Sequence, residues 1–451
     1  MSSERNAVPS KVLDAVTSQP LGFRRISRFY YPLALSWLFM SIEAPVSLSI
    51  ISRMPNSKVN TAAFLMLMSM ALWIESPVID LLSTSTTLTK DRQSFGVMTR
   101  WALMLMTWCG VVHALIMLTP LYGLITGPHI LNLPDEVAHI LRVPLITMIP
   151  WSPFIGWRRY LQGILIRSGK TRMVGLGTFV RISTMATVGG SLYLWGGFTG
   201  VQTTAFSLIC SVGSEALFAH IVSRSVIRNL PKTEGNPPLQ LPRLAQFHLP
   251  LTVTTMLTLS IGPLVSAALD RSADNILQLA AWQVTSTIVW MHRTVVFALP
   301  EVVITLYDGA PTERKLRHFC LMIGTVSSGL LAFLWLTHLD YQFNVHVLGT
   351  AIDTANLAHV AIGFSLFLPF IGALQSYARG MLTVHHRTMP RLTAVIVGTA
   401  VLIVGLITGV VQHWQGVQTA AIALTLALVA ELAVLTWSNR ASTRGPVTAV
   451  S

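Results

Sequence analysis

SPFIGWRRYLQG, Ser152 to Gly163, comes back later in the chain as LPFIGALQSYARG, Leu368 to Gly380. GVQTTA from Gly200 comes back as GVQTAA from Gly416, Glu215 as Glu431 and Arg224 as Arg440; these pairs and Pro153/Pro369 share an offset of 216 in the numbering. Nearer the start, Pro32 matches Pro250, Pro45 matches Pro263 and Arg53 matches Arg271, at an offset of 218. A register held this long means one unit written twice. The copies are joined by RNLPKTEGNPPLQLPRL, Arg228 to Leu244, a polar, proline-rich linker.

Composition says what the unit is. The 451 residues are 52% hydrophobic and 11% charged, against about 25% charged in a soluble domain. Apolar runs of about 20 residues fit bilayer spans. Cutting at polar breaks gives segments 28–52, 61–86, 97–121, 137–165, 173–195, 200–225, 244–269, 276–306, 316–337, 354–384, 391–412 and 417–439. Each copy therefore holds six spans. Six is even, so both copies run the same way through the membrane. The expected fold class is an all-α polytopic membrane protein with twelve transmembrane helices in two parallel six-helix repeats. Its expected division is an arm over 1–27, a lobe over 28–226, a linker over 227–243, a lobe over 244–440 and a tail over 441–451. The leader before Phe29 is too polar for a cleaved signal peptide and reads as a retained arm, with a short amphipathic segment on the membrane surface. Cys109, Cys210 and Cys320 are far apart in sequence and suggest neither a disulfide framework nor a zinc site.

The net charge of +13 is a matter of topology. Of 31 basic residues, 22 fall on the side of the linker and termini, and only Arg53, Lys58, Arg142 and Arg271 on the other. That asymmetry places both termini in the cytoplasm and the protein in the cytoplasmic membrane, and removes any need for nucleic acid as a partner. Arg158, Arg159, Arg181, Arg293 and Arg379 remain, all inside spans.

Six carboxylates also lie within spans: Glu43, Glu75, Asp80, Glu215, Glu301 and Glu431. Each costs at least about 2.5 kcal/mol near the bilayer centre unless paired or hydrated, so each is a functional candidate. Glu75 is near the middle of the second span, and adding the early offset leads to Arg293, at the same depth of the eighth. The pair is expected to face across a central passage and touch the solute, with His292 beside it. The bland alternative is a salt bridge locking the lobes. Glu43 precedes Pro45, whose ring frees a backbone carbonyl, and with Glu75 is a candidate for ion coupling, by sodium or a proton. Glu215 and Glu431 match between copies, which favours a structural role; Arg181 is the natural partner of Glu215, and Glu431 has none in view. Arg158, Arg159 and Arg379, with Tyr160 and its match Tyr377, are read either as snorkelling residues or as a basic vestibule that gathers anions. Asp80 and Glu301 sit nearer the cytoplasm.

GILIRSGKT from Gly163 imitates a phosphate loop, but has five residues where the motif needs four and follows a membrane span rather than a strand. The longer loops, with GPHILNLPDE and HLDYQFNVH, lack metal-ligand spacing such as HExxH. No enzyme, metal site or cofactor is expected.

The stretch LNLPDEVAHILRVPLITMIPWSPFIGWRRYLQGILIRSGKTRMVGLGTFVRI, Leu131 to Ile182, resembles the third loop through fifth helix of the MATE-like, or MOP, superfamily. RFYYPLALSWLFMSIEAPVSLSIISR, Arg28 to Arg53, resembles the first helix of its progressive ankylosis branch. FVRISTMATVGGSLYLWGGFTGVQTTAFSLICSVGSEALFAH, Phe179 to His220, resembles that branch's arginine-to-glutamate stretch, although it lies here in the first half and not the second. The resemblance implies two six-helix lobes in a V around a central cavity. For the ankylosis branch it implies export of anions such as pyrophosphate, nucleotides or citrate; for the extruders, of organic cations against sodium or protons; for the flippases, of lipid-linked sugars.

Parallel repeats in membranes commonly meet around a cavity that opens to alternate sides. The expected function is a monomeric secondary transporter exporting a small anionic solute by alternating access. Arg293 holds the solute, Arg158 and Arg159 collect it, and Glu43 and Glu75 couple or gate. Cation-coupled multidrug efflux and lipid-linked sugar flipping are the alternatives, with a membrane-embedded transferase behind them.

Overall fold

A backbone inside a bilayer can satisfy its amides only within its own segment, so long apolar runs become helices. The computed structural model describes residues 22–232, 238–385, 387 and 389–444, and among them there is no strand. With short breaks joined, the long helices among the described residues are twelve rods: α1 (Phe23–Ser52), α2 (Ser57–Leu88), α3 (Arg92–Leu118), α4 (Asp135–Thr147 and Trp151–Arg167), α5 (Thr171–Trp195), α6 (Gly200–Arg228), α7 (Leu241–Leu269), α8 (Asn275–Leu306), α9 (Ala310–Leu336), α10 (Ile352–Phe364 and Leu368–Val384), α11 (Met389–Val411) and α12 (Gly416–Arg444). Among the described residues nine of these are long and apolar enough to cross a membrane, and the pair in α10, bent by 45°, makes a tenth. The other two, α4 and α5, are the rods that carry Arg158, Arg159 and Arg181. The expected surface segment of the arm falls in residues 1–21, outside the described residues, as do residues 445–451 of the tail.

The breaks recur with the repeat. α1 is interrupted at Ile42 and α7 at Ser260, which are equivalent positions of the two copies, and each break comes just before a proline (Pro45, Pro263) that cannot donate to the preceding turn. α2 is interrupted at Asp80, and α8 passes through a 3-10 stretch, Val295–Ala298, at the equivalent place. α4 breaks between Thr147 and Trp151, α10 between Phe364 and Leu368.

Two glycines set how closely the second and fourth rods of each half approach. A side chain on Gly163 would come within 2.6 Å of the Leu82 carbonyl, and one on Gly380 within 2.8 Å of Val303 Cβ. The contact at Gly163 lets the Ser85 hydroxyl donate to the Tyr160 carbonyl at 2.8 Å.

The halves exchange ends. Ile26, Tyr30 and Ala34 of α1 are buried in a core with Val296, Leu299 and Val302 of α8 and Leu316 and Phe319 of α9. Tyr30 donates to the Val295 carbonyl at 2.9 Å. Reciprocally, the start of α7 packs on α2 and α3: His248 Nε2 donates to the Pro77 carbonyl at 2.9 Å, its Nδ1 meets the Thr84 hydroxyl at 2.9 Å, and its ring stands edge-on to Trp101. Tyr30 is the repeat equivalent of His248, and Pro77 that of Val295. Each half thus grips the other through the same geometric device.

Candidate functional site

Burying a charge requires a partner close by, and the interior of the first half supplies one for almost every charge it holds. Arg158 and Gln162 lie one turn apart on the second segment of α4, hence on one face. Both reach Glu215 of α6: Arg158 Nη1 donates to Oε2 at 2.7 Å and Gln162 Nε2 to Oε1 at 3.1 Å. Arg158 is 3% exposed and Glu215 0%. From α5, Arg181 approaches Glu215 at 3.6 Å but puts its fork on Glu43 of α1, with Nε to Oε1 and Nη2 to Oε2 at 2.6 Å. Glu43 is the first residue after the break in α1, and its carboxylate meets Arg181 of α5.

Glu75, 4% exposed on α2, is an exception. Its Oε2 has no hydrogen-bond partner among the described residues, nor do the Nε atoms of Arg158 and Arg159. The Trp151 indole N–H is the neutral donor that bears on this carboxylate, but it falls short of hydrogen-bond geometry. The positive charges that reach Glu75 belong to Arg159, Arg158 and Arg181. Three carboxylates (Glu43, Glu75, Glu215) and three guanidiniums therefore balance in one half, with a spare oxygen on one carboxylate.

The second half repeats the outline with other residues. Arg379 Nη2 donates to Glu431 Oε1, just as Gln162 does to Glu215 at the equivalent site. Arg379 keeps 28% of its side chain exposed. Arg293 sits two residues before the 3-10 stretch of α8, its guanidinium 5.9 Å from the centre of the Phe297 ring and its Nε without a partner among the described residues. The charges that act on it are Arg379 and Glu431.

These positions sort the sequence-derived candidates. The expected partnership of Arg181 with Glu215 is present, although Glu43 holds Arg181 more closely. Glu431, without a partner in the sequence, has Arg379. Glu75 and Arg293 do not form the lobe-locking salt bridge: each lies among the charges of its own half, because equal depth along two helices says nothing about the direction the side chains take. Arg158 is not in an open vestibule but in the sealed interior, fixed by Glu215. Tyr160 is likewise wholly buried, its hydroxyl 2.7 Å from that of Thr99, whereas Tyr377 donates to Glu313 at 3.2 Å. Arg159 is half-buried. His292 turns back on its own helix, Nδ1 donating to the Ile288 carbonyl at 2.9 Å. Asp80 accepts from Thr255 of α7 at 2.7 Å, close to the exchanged end.

Sequence reasoning passed over Gln162, which aligns with Arg379 through the repeat and could have been found that way, and Trp151, whose ring lies 5.9 Å from the Arg181 guanidinium. It also passed over Asp270, just beyond the end of α7, which is 2% exposed with neither carboxylate oxygen bonded among the described residues. Burial pushes its carboxyl up to about 8, against the opposing charge of Arg271.

By sequence, the chain matches no family model and no curated protein. By structure it has clear counterparts. An inward-facing multidrug resistance MATE transporter of the MOP superfamily superposes with a TM-score of 0.68 over 93% of this chain and 100% of its own, at 12% identity. The fold is the MATE fold. An outward-facing multidrug resistance MATE transporter gives 0.64 over 93% and 96%, at 14% identity. The inward closed form of the lipid II flippase MurJ gives 0.65 over 90% and 87%, at 12% identity. A MOP-superfamily transporter from Pyrococcus furiosus, whose reversed binding-pocket polarity is taken to suggest a different function, gives 0.61 over 92% and 97%, at 12% identity. The ankylosis branch is not among these.

Proposed function

We propose that the protein is a secondary transporter in which two halves, 28–226 and 244–440, rock against each other and open a central passage to alternate sides. One observation carries the reading: three rods of each half are broken at repeat-equivalent positions, and incompletely paired charges stand beside the breaks, Glu75 near that of α2 and Arg293 at that of α8. Discontinuous helices at a repeat interface are how transporters bring backbone and charge to a solute at mid-membrane. The solute is a small organic or phosphorylated anion held by Arg293 and Arg379, with Arg159 in reach of the passage. Glu75, and Glu43 through Arg181, take part in coupling to a proton or sodium ion. The termini and linker lie in the cytoplasm, in keeping with their excess of Lys and Arg.

A second reading, coupled efflux of organic cations, is favoured by the carboxylate-bearing first half and its spare Glu75 oxygen. Purified protein in liposomes separates the two. Labelled pyrophosphate, citrate and nucleotide are compared with a cationic dye under imposed proton and sodium gradients. Gradient-driven flux of an anion that is lost in a folded Arg293→Ala variant supports the first reading. Flux of the dye alone, indifferent to Arg293, replaces it with the second. Flux of neither, with translocation of a lipid-linked sugar, replaces both.

A further inference from the structure

At the end of the molecule away from the linker, two arginines do the same thing twice. Arg53, at the end of α1, donates Nη2 to the Val347 carbonyl at 2.8 Å and Nη1 to the Leu348 carbonyl at 3.3 Å, in the loop before α10. Arg271, after α7, donates Nη2 to the Ile130 carbonyl at 2.8 Å and Nη1 to the Leu131 carbonyl at 3.3 Å, in the loop before α4. Each also donates Nη1 to its own helix one turn back, to the Ser49 carbonyl at 2.7 Å and the Ala267 carbonyl at 2.6 Å. The arginines are repeat equivalents, and so are the carbonyls they hold. Every one of the four cross-contacts joins one half to the other.

We infer that Arg53 and Arg271 are a pair of latches that hold this end of the passage closed. The inference rests on the alternating-access reading. A guanidinium offers rigid parallel donors to two adjacent carbonyls, which an ammonium cannot match. Both side chains lie at the surface, where water replaces the lost hydrogen bonds when the halves part. The contacts are thus strong enough to define the closed state and exchangeable enough to be broken in each cycle. The two latches are not equal. Lys58 pairs with Asp353 beside the Arg53 latch, whereas the equivalents of those residues are Ile276 and Glu136, so the Arg271 latch has no such support. The Arg271 side therefore parts first.

The test uses the full chain with Cys109, Cys210 and Cys320 replaced, carrying spin labels at Pro55→Cys and Ile352→Cys, or at the repeat-equivalent pair Ala273→Cys and Asp135→Cys, all exposed. Distances are measured by pulsed electron resonance in lipid nanodiscs. The unaltered latches give a mainly short distance for each pair, with a minor long one. Arg53→Ala/Arg271→Ala raises the ratio of long to short distances about tenfold or more, Arg271→Ala alone moves its own pair more than Arg53→Ala moves the other, and Arg→Lys at either site does not restore the short distance. An unchanged distribution in a folded double variant overturns the inference. If the double variant does not fold, the single variants and Lys58→Ala, which touches an exposed pair only, decide by the same distances. The latch and the transport reading fail separately: distances that shift in a protein without flux sink the latter, and flux with unshifted distances sinks the former.

Discussion

The two repeat-equivalent glutamates give a sharp experiment, because the same chemistry sits at two depths of burial. Glu215→Ala removes the acceptor of Arg158 and Gln162 and strands a guanidinium that is 3% exposed. An uncompensated buried charge costs about 3–5 kcal/mol. Glu431→Ala strands Arg379, but that side chain is 28% exposed and water takes over, so the cost falls to about 1 kcal/mol. Because the halves interlock, the chain of 451 residues melts as one unit, and a unit of that size loses about 1 °C in melting temperature per kcal/mol. Glu215→Ala should therefore melt about 3–5 °C below the parent, and Glu431→Ala about 1 °C below. Arg158→Leu/Glu215→Leu, which replaces the pair by apolar groups, should recover most of the loss. Tryptophan fluorescence during heating in detergent micelles reads all three. Equal shifts for the two alanine variants, or a double variant no better than Glu215→Ala, would refute the argument from burial.

Other outcomes follow from single contacts. Gly163→Ala forces a Cβ to within 2.6 Å of a backbone carbonyl, so the second and fourth rods must part, and the melting temperature should fall by the equivalent of about 1–3 kcal/mol. Asp270 is protonated in the folded protein up to a pH of about 8 but ionised in the unfolded chain above about 4. Stability should therefore fall as pH rises through that window, by up to about 1.4 kcal/mol per unit, and level off above it. Asp270→Asn should flatten this slope, leaving the variant relatively more stable at pH 8 than at pH 5; parallel melting curves across pH would exclude it. Arg293→Ala should abolish solute flux while leaving the melting temperature within about 1–2 °C of the parent, since its Nε has no partner among the described residues that would be stranded.

Much of the architecture was legible. Apolar runs located all twelve rods, most with ends displaced by a few positions; α9 begins at Ala310, not 316, because APTERK continues the helix past the apolar stretch. The repeat offsets, stepping from 218 to 216, also gave the pairing of Tyr160 with Tyr377 and of Glu215 with Glu431. The azimuth of each side chain was not legible. A rod that is apolar all round carries no stripe to say which face points inward, so Glu75 and Arg293 shared a depth without forming an ion pair, and Arg158 read as accessible when it is sealed. The exchange of ends was hidden for a related reason: a contact between Tyr30 and Val295, so distant along the chain, leaves no local trace in composition.

That exchange has a consequence for how the chain is made. Ile26 and Tyr30 emerge with the opening rod, yet the side chains that cover them, from Val296 to Phe319, are not synthesised until the eighth and ninth. Until then the opening helix must wait in the membrane with one flank bare, and the first six rods cannot mature as an independent piece. Expressed as separate fragments, the two portions should find each other or be degraded.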